Sequence, residues 1–256
     1  MRLSPAVFAV ILSLGVAMPG FGFDLGSMTD QERAQFRAEI RDYLLDNPEV
    51  LVEAINTLDA RQAEQQAVSD STLIGENAPA IFADGRSWVG GNLDGTVTVV
   101  EFFDYRCGYC KKAHAEVTDL VQSDGNVRFI LKEFPILGDQ SVLASRFAIA
   151  VRTLAGPDMY WKMHDQLMTF RGDITPASLD RLATDLGLDP AAIRAGMESP
   201  EVEAEITANH ALGDRLHING TPSFVLQDSR LQSPDTMLRG YVPQQQIQQI
   251  VTDLRG

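Results

Sequence analysis

Thr96-Val97-Thr98-Val99-Val100-Glu101-Phe102-Phe103-Asp104-Tyr105-Arg106-Cys107-Gly108-Tyr109-Cys110 holds both cysteines of this 256-residue chain. Its first half is β-branched and aromatic, the composition of a buried strand. Residues 108–122 follow with Ala113, Val117, Leu120 and Val121 spaced to face a core, which predicts a helix. Asn126 to Phe134 predicts a second strand, stopped by Pro135. Strand, helix, strand in that order implies a parallel pair with a right-handed crossover. The two cysteines therefore stand where a buried strand turns into a helix.

Downstream, residues 140–215 are predicted to be mostly helical. Thr175-Pro176, Asp189-Pro190 and Ser199-Pro200 each supply an N-cap residue with proline at the first helical position. Gly220-Thr221-Pro222 then turns into a strand over Ser223–Leu226. An edge strand is expected near Met237–Tyr241, and a last helix from Pro243 with Ile247, Ile250, Val251 and Leu254 on one face. Upstream, residues 24–75 read as a separate helical segment. Thr29-Asp30-Gln31-Glu32 fits a capping box. Phe36, Ile40, Tyr43 and Leu44 share one face, Asn47-Pro48 restarts the pattern as N-cap and first residue, and Leu51, Ile55 and Leu58 continue it. The polar run Arg61–Ser71 reads as a helix end passing into a linker. Two short helices cannot bury such faces alone. Residues 24–75 are thus expected to pack on copies of themselves, or to fold back onto the main domain.

Residues 1–22 read as a secretory signal: Arg2, an apolar run from Val7 to Val16, then small residues through Gly20-Phe21-Gly22. The run is short for a membrane span, although an uncleaved anchor is the alternative. The expected organisation is a signal peptide (1–22), an N-terminal helical region (24–75) and a main domain (78–256) with a helical insertion at about 140–215. The expected location is outside the inner membrane, where disulfides persist. Lys plus Arg is 21 against 35 Asp plus Glu, a formal net charge of −14. A polyanion would be repelled, so no nucleic-acid partner is expected.

A CxxC pair can be half of a zinc site, a structural bridge or a redox dithiol. A closed zinc site wants four ligands. The chain has no further cysteine and only His114, His164, His210 and His217, so no metal site is expected. A loop this short closed by a disulfide stabilises by only about 2 kcal/mol. The redox alternative has the helix start in its favour, because N–H groups and the dipole there favour a thiolate at the first cysteine. Cys107 would exchange with a partner's sulfur, and Cys110, a turn deeper, would resolve the mixed disulfide.

Glu101 through Cys110, then Lys132-Glu133-Phe134-Pro135, then Gly220-Thr221-Pro222 resemble the thioredoxin superfamily, and within it the DsbA-like group. The resemblance covers about residues 80–256 and implies an α/β thioredoxin fold with an inserted helical subdomain. It implies that Pro222 is cis and faces the dithiol, turning the Thr221 backbone outward to hydrogen-bond an extended substrate. It also implies that Glu101 is a buried acid that shuttles the proton of the deeper thiol. Lys132 is expected either to pair with Glu101 or to be solvated. Lys111 and Lys112 could add positive potential, Phe102, Phe103 and Trp161 are expected in the core, and His114 at the surface.

Residues 24–75, through Tyr43-Leu44-Leu45-Asp46-Asn47-Pro48-Glu49-Val50, are similar to the N-terminal region of ScsC-type proteins, which are DsbA-like and linked to copper tolerance. In that group the region can mediate oligomers. The two resemblances imply a periplasmic thiol-disulfide oxidoreductase needing no cofactor beyond its own Cys107–Cys110 disulfide. Its partners would be cysteine-containing exported proteins and a membrane redox protein. Gly-Tyr between the cysteines and Thr before the proline depart from strongly oxidising DsbA and look more like the bacterial disulfide isomerases. Oxidase and isomerase both stay open, and a copper-binding protein using the same two sulfurs is the alternative.

Overall fold

In the computed structural model, residues 26–230 and 235–256 are described, so the expected signal segment lies outside the described residues. The chain divides into two compact units, residues 1–59 and 60–256. In order, the elements are α1 (Asp30–Asp46), α2 (Glu49–Phe82), β1 (Trp88–Gly91), β2 (Val97–Phe103), α3 (Gly108–Asp124), β3 (Val127–Glu133), α4 (Asp139–Ala155), α5 (Pro157–Thr169), α6 (Pro176–Asp185), α7 (Pro190–Gly196), α8 (Pro200–Arg215), β4 (Ser223–Asp228), β5 (Thr236–Arg239) and α9 (Gln244–Arg255). No helix among the described residues is long and apolar enough to cross a membrane.

The first unit is helical, and the capping box forms. The Glu32 amide donates to the Thr29 hydroxyl at 3.3 Å, and the Thr29 amide donates to Glu32 Oε2 at 2.8 Å. Asn47 corrects its expected role. It closes α1 instead of opening α2, its main-chain N–H and side-chain amide both donating to the Tyr43 carbonyl at 2.9 and 2.8 Å. The reason is Pro48, whose ring pushes the preceding residue out of the helical region. No residue of α1 is buried. Phe36, Ile40, Tyr43 and Leu45, with Leu51, Val52, Ile55 and Leu58 of the first turns of α2, are exposed.

The second unit also corrects an expectation: the polar run at 61–71 is helix, not a helix end and linker. Ala, Gln, Glu and Arg all sustain a helix well. Further on, Ile74 and Ile81 are fully buried against Val100, Phe102, Ile130 and Val225 of the sheet. Arg239 of β5 grips Asp70 through both guanidinium nitrogens, at 2.6 and 2.8 Å.

The sheet order is β1-β3-β2-β4-β5. β2 and β3 are parallel, as the β-α-β pattern requires, with Glu101 opposite Leu131 and Phe102 opposite Lys132. β4 and β5 continue antiparallel. β1 was not expected, because two of its four residues are glycine. Trp88 fixes it by stacking on Trp161 at 4.9 Å between ring centres. Side chains alternate between faces. Val97, Val99 and Phe103 join the large core built with α3–α8 and α9, while Val100 and Phe102 point to the α2 side. Thr175, Asp189 and Ser199 cap α6, α7 and α8 with proline in the first turn, as their sequences predict. This is the thioredoxin-type α/β fold with an inserted helical block.

Candidate functional site

Strand β2 ends in a tight corner held by one carboxylate. Asp104 is fully buried and accepts from the Arg106, Ile136 and Leu137 amides at 2.7, 2.8 and 3.0 Å and from the Ser141 hydroxyl at 2.8 Å. Its own carbonyl accepts from the Cys107 amide at 3.1 Å. The corner thus delivers Cys107 to the N-cap of α3, with Cys110 one turn on.

Both cysteines are free thiols. Cys107 Sγ accepts from the Cys110 amide at 3.4 Å and lies 3.1 Å from the Thr221 carbonyl oxygen. Cys107 keeps a 7% exposed edge, whereas Cys110 has none. Donation from the Cys110 thiol, supported by Thr221 and by the Tyr109 and Cys110 amides, brings Cys107 down to about 5 despite its partial burial. Burial drives Cys110 the other way, far above an ordinary thiol, with the bond to Cys107 and the charge of Glu101 adding to it. One sulfur is therefore anionic and reachable at neutral pH, and the other is a protonated thiol held in reserve.

The Thr221–Pro222 peptide bond is cis. The sequence-predicted residues Cys107, Cys110 and Thr221 are thus in direct contact, with Pro222 adjoining. Glu101 is 2% exposed on β2, and its Oε1 has no hydrogen-bond partner. Burial, with the nearby charge of Cys107, raises it to about 8. At neutral pH it is a protonated carboxyl in electrostatic contact with both sulfurs.

Lys132 meets neither expectation. It is fully buried on the opposite sheet face and bonds the Ala80 carbonyl and Asp84 Oδ2, both at 2.8 Å. The cause is register: Glu101 lies opposite Leu131, so Lys132 one residue on points through the other face. His114 is not a surface residue. It is 8% exposed, with Nε2 2.9 Å from Asp165 Oδ1 and its ring 5.1 Å from that of His164.

Sequence inspection also missed a buried acid, Glu133. Its Oε1 accepts from the Tyr105 and Tyr160 hydroxyls at 2.9 and 2.7 Å, and its Oε2 from Ser145 at 2.7 Å. Burial nonetheless raises it to about 8. The available signal was a glutamate at the end of an otherwise buried strand.

The face around Cys107 is open. Tyr109 is 63% exposed and stacks on Tyr241 at 6.0 Å, with Lys112 Nζ 4.1 Å above the Tyr241 ring. A cavity of about 910 Å³ lies elsewhere, lined by Trp88, Leu93, Val121 and Trp161 among others, and includes neither cysteine. Among the described residues no three His, Cys, Asp or Glu side chains are grouped to hold a metal. The arrangement can exchange disulfides with a sulfur presented from outside.

Comparison with known proteins agrees with this chemistry. Residues 98–252 match the DSBA-like thioredoxin domain family, and residues 32–65 match the copper resistance protein ScsC N-terminal domain. A thioredoxin-like oxidoreductase from Silicibacter pomeroyi is 42% identical, with a TM-score of 0.63 over 69% of this chain and 96% of its own. Proteus mirabilis ScsC in a transitional conformation is 26% identical, TM-score 0.62, over 90% of this chain and 97% of its own. The thiol:disulfide interchange protein DsbA of Bordetella parapertussis is 25% identical over 177 residues, covering 66% of this chain and 83% of that protein. The Na(+)/H(+) antiporter NhaA 3 of Salinispora tropica is 31% identical over 149 residues, 58% of this chain but only 23% of the antiporter's length.

Proposed function

Because this chain belongs to the DSBA-like thioredoxin family and carries a ScsC-type N-terminal region, we propose that it is an exported, periplasmic thiol-disulfide oxidoreductase acting on cysteines of other exported proteins. The observation that carries the proposal is the geometry of the dithiol. Cys107, with an exposed edge at the N-cap of α3, accepts from the Cys110 amide at 3.4 Å beside the Thr221–Pro222 turn, and Cys110 lies fully buried one turn on, which holds the first thiol down and the second up.

In the oxidising direction, a substrate thiolate attacks Cys107 of the Cys107–Cys110 disulfide. The S–S bond breaks and its electron pair leaves on Cys110, which takes a proton; Glu101, protonated at neutral pH, is the group placed to give it. A second substrate thiolate then attacks the substrate sulfur of the mixed disulfide and expels Cys107. The substrate leaves with a disulfide and the protein holds a dithiol, which a membrane redox partner reoxidises. In the isomerising direction, the Cys107 thiolate attacks a wrongly formed disulfide and releases one substrate thiolate. A different substrate thiolate then attacks the substrate sulfur of the mixed disulfide, forms the new S–S bond and expels Cys107 as the thiolate. The Thr221 backbone, beside Cys107 at 3.1 Å, offers an edge for an extended substrate. The catalytic set proposed is Cys107, Cys110, Thr221, Pro222 and Glu101.

The exposed apolar residues of the first unit support self-association through residues 24–75. A copper-binding role has less support. It would rest on two sulfurs, and a metal must displace the proton of Cys110, which the site holds tightly.

Insulin reduction, refolding of scrambled ribonuclease and copper titration test the proposal together. Fast thiol exchange with weak copper binding is expected. Tight copper binding with negligible exchange would overturn it. Ribonuclease recovery without added oxidant would assign isomerisation; recovery only from reduced substrate would assign oxidation.

A further inference from the structure

We propose that Arg106, Lys111 and Arg171 form a cationic collar beside Cys107 that selects protein partners whose reacting cysteine is flanked by carboxylates. The inference rests on the thiol-exchange reading of Cys107 and adds a substrate class to it.

The three cations come from two places in the chain that the fold brings to one edge of the dithiol. Arg106 immediately precedes Cys107 and is exposed. Lys111 lies one helical turn beyond Cys107, its amide donating to the Cys107 carbonyl at 3.1 Å. The loop joining α5 to α6 is fastened to both. Lys111 Nζ donates to the Phe170 carbonyl at 2.6 Å, and Arg106 Nη1 donates to the Gly172 carbonyl at 3.1 Å. Arg171 sits between those anchors and is exposed. The ammonium of Lys111 is partly desolvated and feels the charges of Arg171 and Arg106, which together push it below an ordinary lysine. The three are therefore one electrostatic group.

Among the described residues, no carboxylate forms an ion pair with that group. The ion pairs among the described residues use Arg146, Arg152, Arg194, Arg230, Arg239, Arg255 and others, but not Arg106, Lys111, Lys112 or Arg171. The nearby acids have other partners. Asp104 is buried and takes four donors at the corner. Asp165 faces His114 at 2.9 Å, and Asp173 is oriented by Gln140 at 3.4 Å, which leaves its charge in place but forms no ion pair with the three cations. Uncompensated cations in mutual reach repel one another, an arrangement that a bound anion would relieve. On a chain of net charge −14, the collar is a cluster of like positive charge beside the sulfur that a partner must reach. Local fields of this kind change association rates by roughly 10- to 1,000-fold and fade with salt.

Three synthetic peptides, each with one disulfide and differing only in Glu, Gln or Lys on both flanks, test the inference on the reduced full-length protein. The Gln peptide measures the dithiol itself. If it does not react, the underlying function fails, and the collar with it. If it reacts, the Glu peptide is expected to react about tenfold or more faster than the Lys peptide at low ionic strength. The ratio should collapse toward one in strong salt. Arg171→Glu should lower the ratio several-fold and Arg171→Lys should keep it, and neither change alters the two main-chain anchors. Equal Glu and Lys rates, a salt-independent ratio, or an unchanged ratio in Arg171→Glu would each overturn the collar. A preference seen for glutathione disulfide but not for the Glu peptide would overturn the assignment to protein partners.

Discussion

Replacing Cys110 by alanine isolates the largest cause of the acidity of Cys107. Of the groups that hold Cys107 near 5, the Cys110 thiol comes first, ahead of Thr221 and the Tyr109 and Cys110 amides. A hydrogen bond to a charged acceptor contributes about 1.5–3 kcal/mol. At about 1.4 kcal/mol per pKa unit, its loss raises Cys107 by about one to two units, to about 6–7. Cys110→Ala removes the donor and leaves the main-chain amide that lies 3.4 Å from Cys107 Sγ. Cys110→Ser keeps an O–H donor at the same position. Thiolate absorbance followed against pH, checked by the pH dependence of alkylation, reads the value directly in both monothiol proteins. The expected order is wild type and Cys110→Ser low, Cys110→Ala higher by at least one unit. If Cys110→Ala still titrates at about 5, the helix N–H groups carry the shift and the thiol–thiol bond does not.

A thiol at about 5, in place of the thioredoxin value of about 7, favours the reduced form by about 2 kcal/mol near neutral pH. That is about 50 mV, somewhat less because solvent reaches the thiol edge; equilibration with glutathione should therefore give a potential of about −220 to −260 mV, and a value near −120 mV would show that another term dominates. Glu101 is raised from 4.5 to about 8, so the folded protein binds the extra proton. The stability this contributes is complete below about pH 4.5 and disappears as pH rises through about 8. Glu101→Gln should flatten that decline in urea midpoints of the reduced protein, and an unchanged slope would remove the assignment. Asp84 is lowered to about 2, so its contribution is present above about pH 3.8 and is lost as pH falls through about 2. Asp84→Ala strands Lys132 as a buried charge and should destabilise by about 3–5 kcal/mol, whereas Lys132→Met with Asp84→Ala should recover much of it. Equal stabilities of the single and double variants would contradict this.

What the sequence disclosed was set by short-range chemistry. The buried strand before Cys107, the capped and proline-led helix starts and the β-α-β order were legible because each depends on neighbours within a turn or two. The dithiol was legible for the same reason, since its geometry follows from being the first turn of α3. What was hidden depends on contacts distant in the chain. Lys132 could not be placed until the register of β2 and β3 was known, because a single residue of slip changes its face. Its partner Asp84 lies 48 residues away in the chain, beyond the reach of any local pattern. The helical continuation through residues 61–71 was obscured by its polarity, although a helix can be polar on every exposed side and still be held by Asp70, Ile74 and Ile81. His114 looked solvated because its cover, Trp161 and His164, comes from α5.

The corner sets the depths of the two sulfurs, and the Cys110 thiol, Thr221 and Glu101 add to the asymmetry it begins. A residue at an N-cap faces the unpaired N–H groups of the first turn, so a negative side chain there gains donors that a residue three positions on does not. Cys107 occupies the cap and Cys110 the third position of α3. The same turn carries Cys110 beneath the surface, where burial and Glu101 both oppose its ionisation. Between them, Gly108 meets nothing beyond its chain neighbours and its own helix within 4 Å of where a side chain would begin, and Tyr109 is exposed. In the proposed mechanism this separates proton and electron traffic in space: a partner's sulfur would meet an anion at the rim, while the accompanying proton would move between Cys110 and the Glu101 carboxyl on the strand below. Moving either cysteine by one residue would break this separation, since α3 would then turn the thiol by about 100° away from the donors or from the acid.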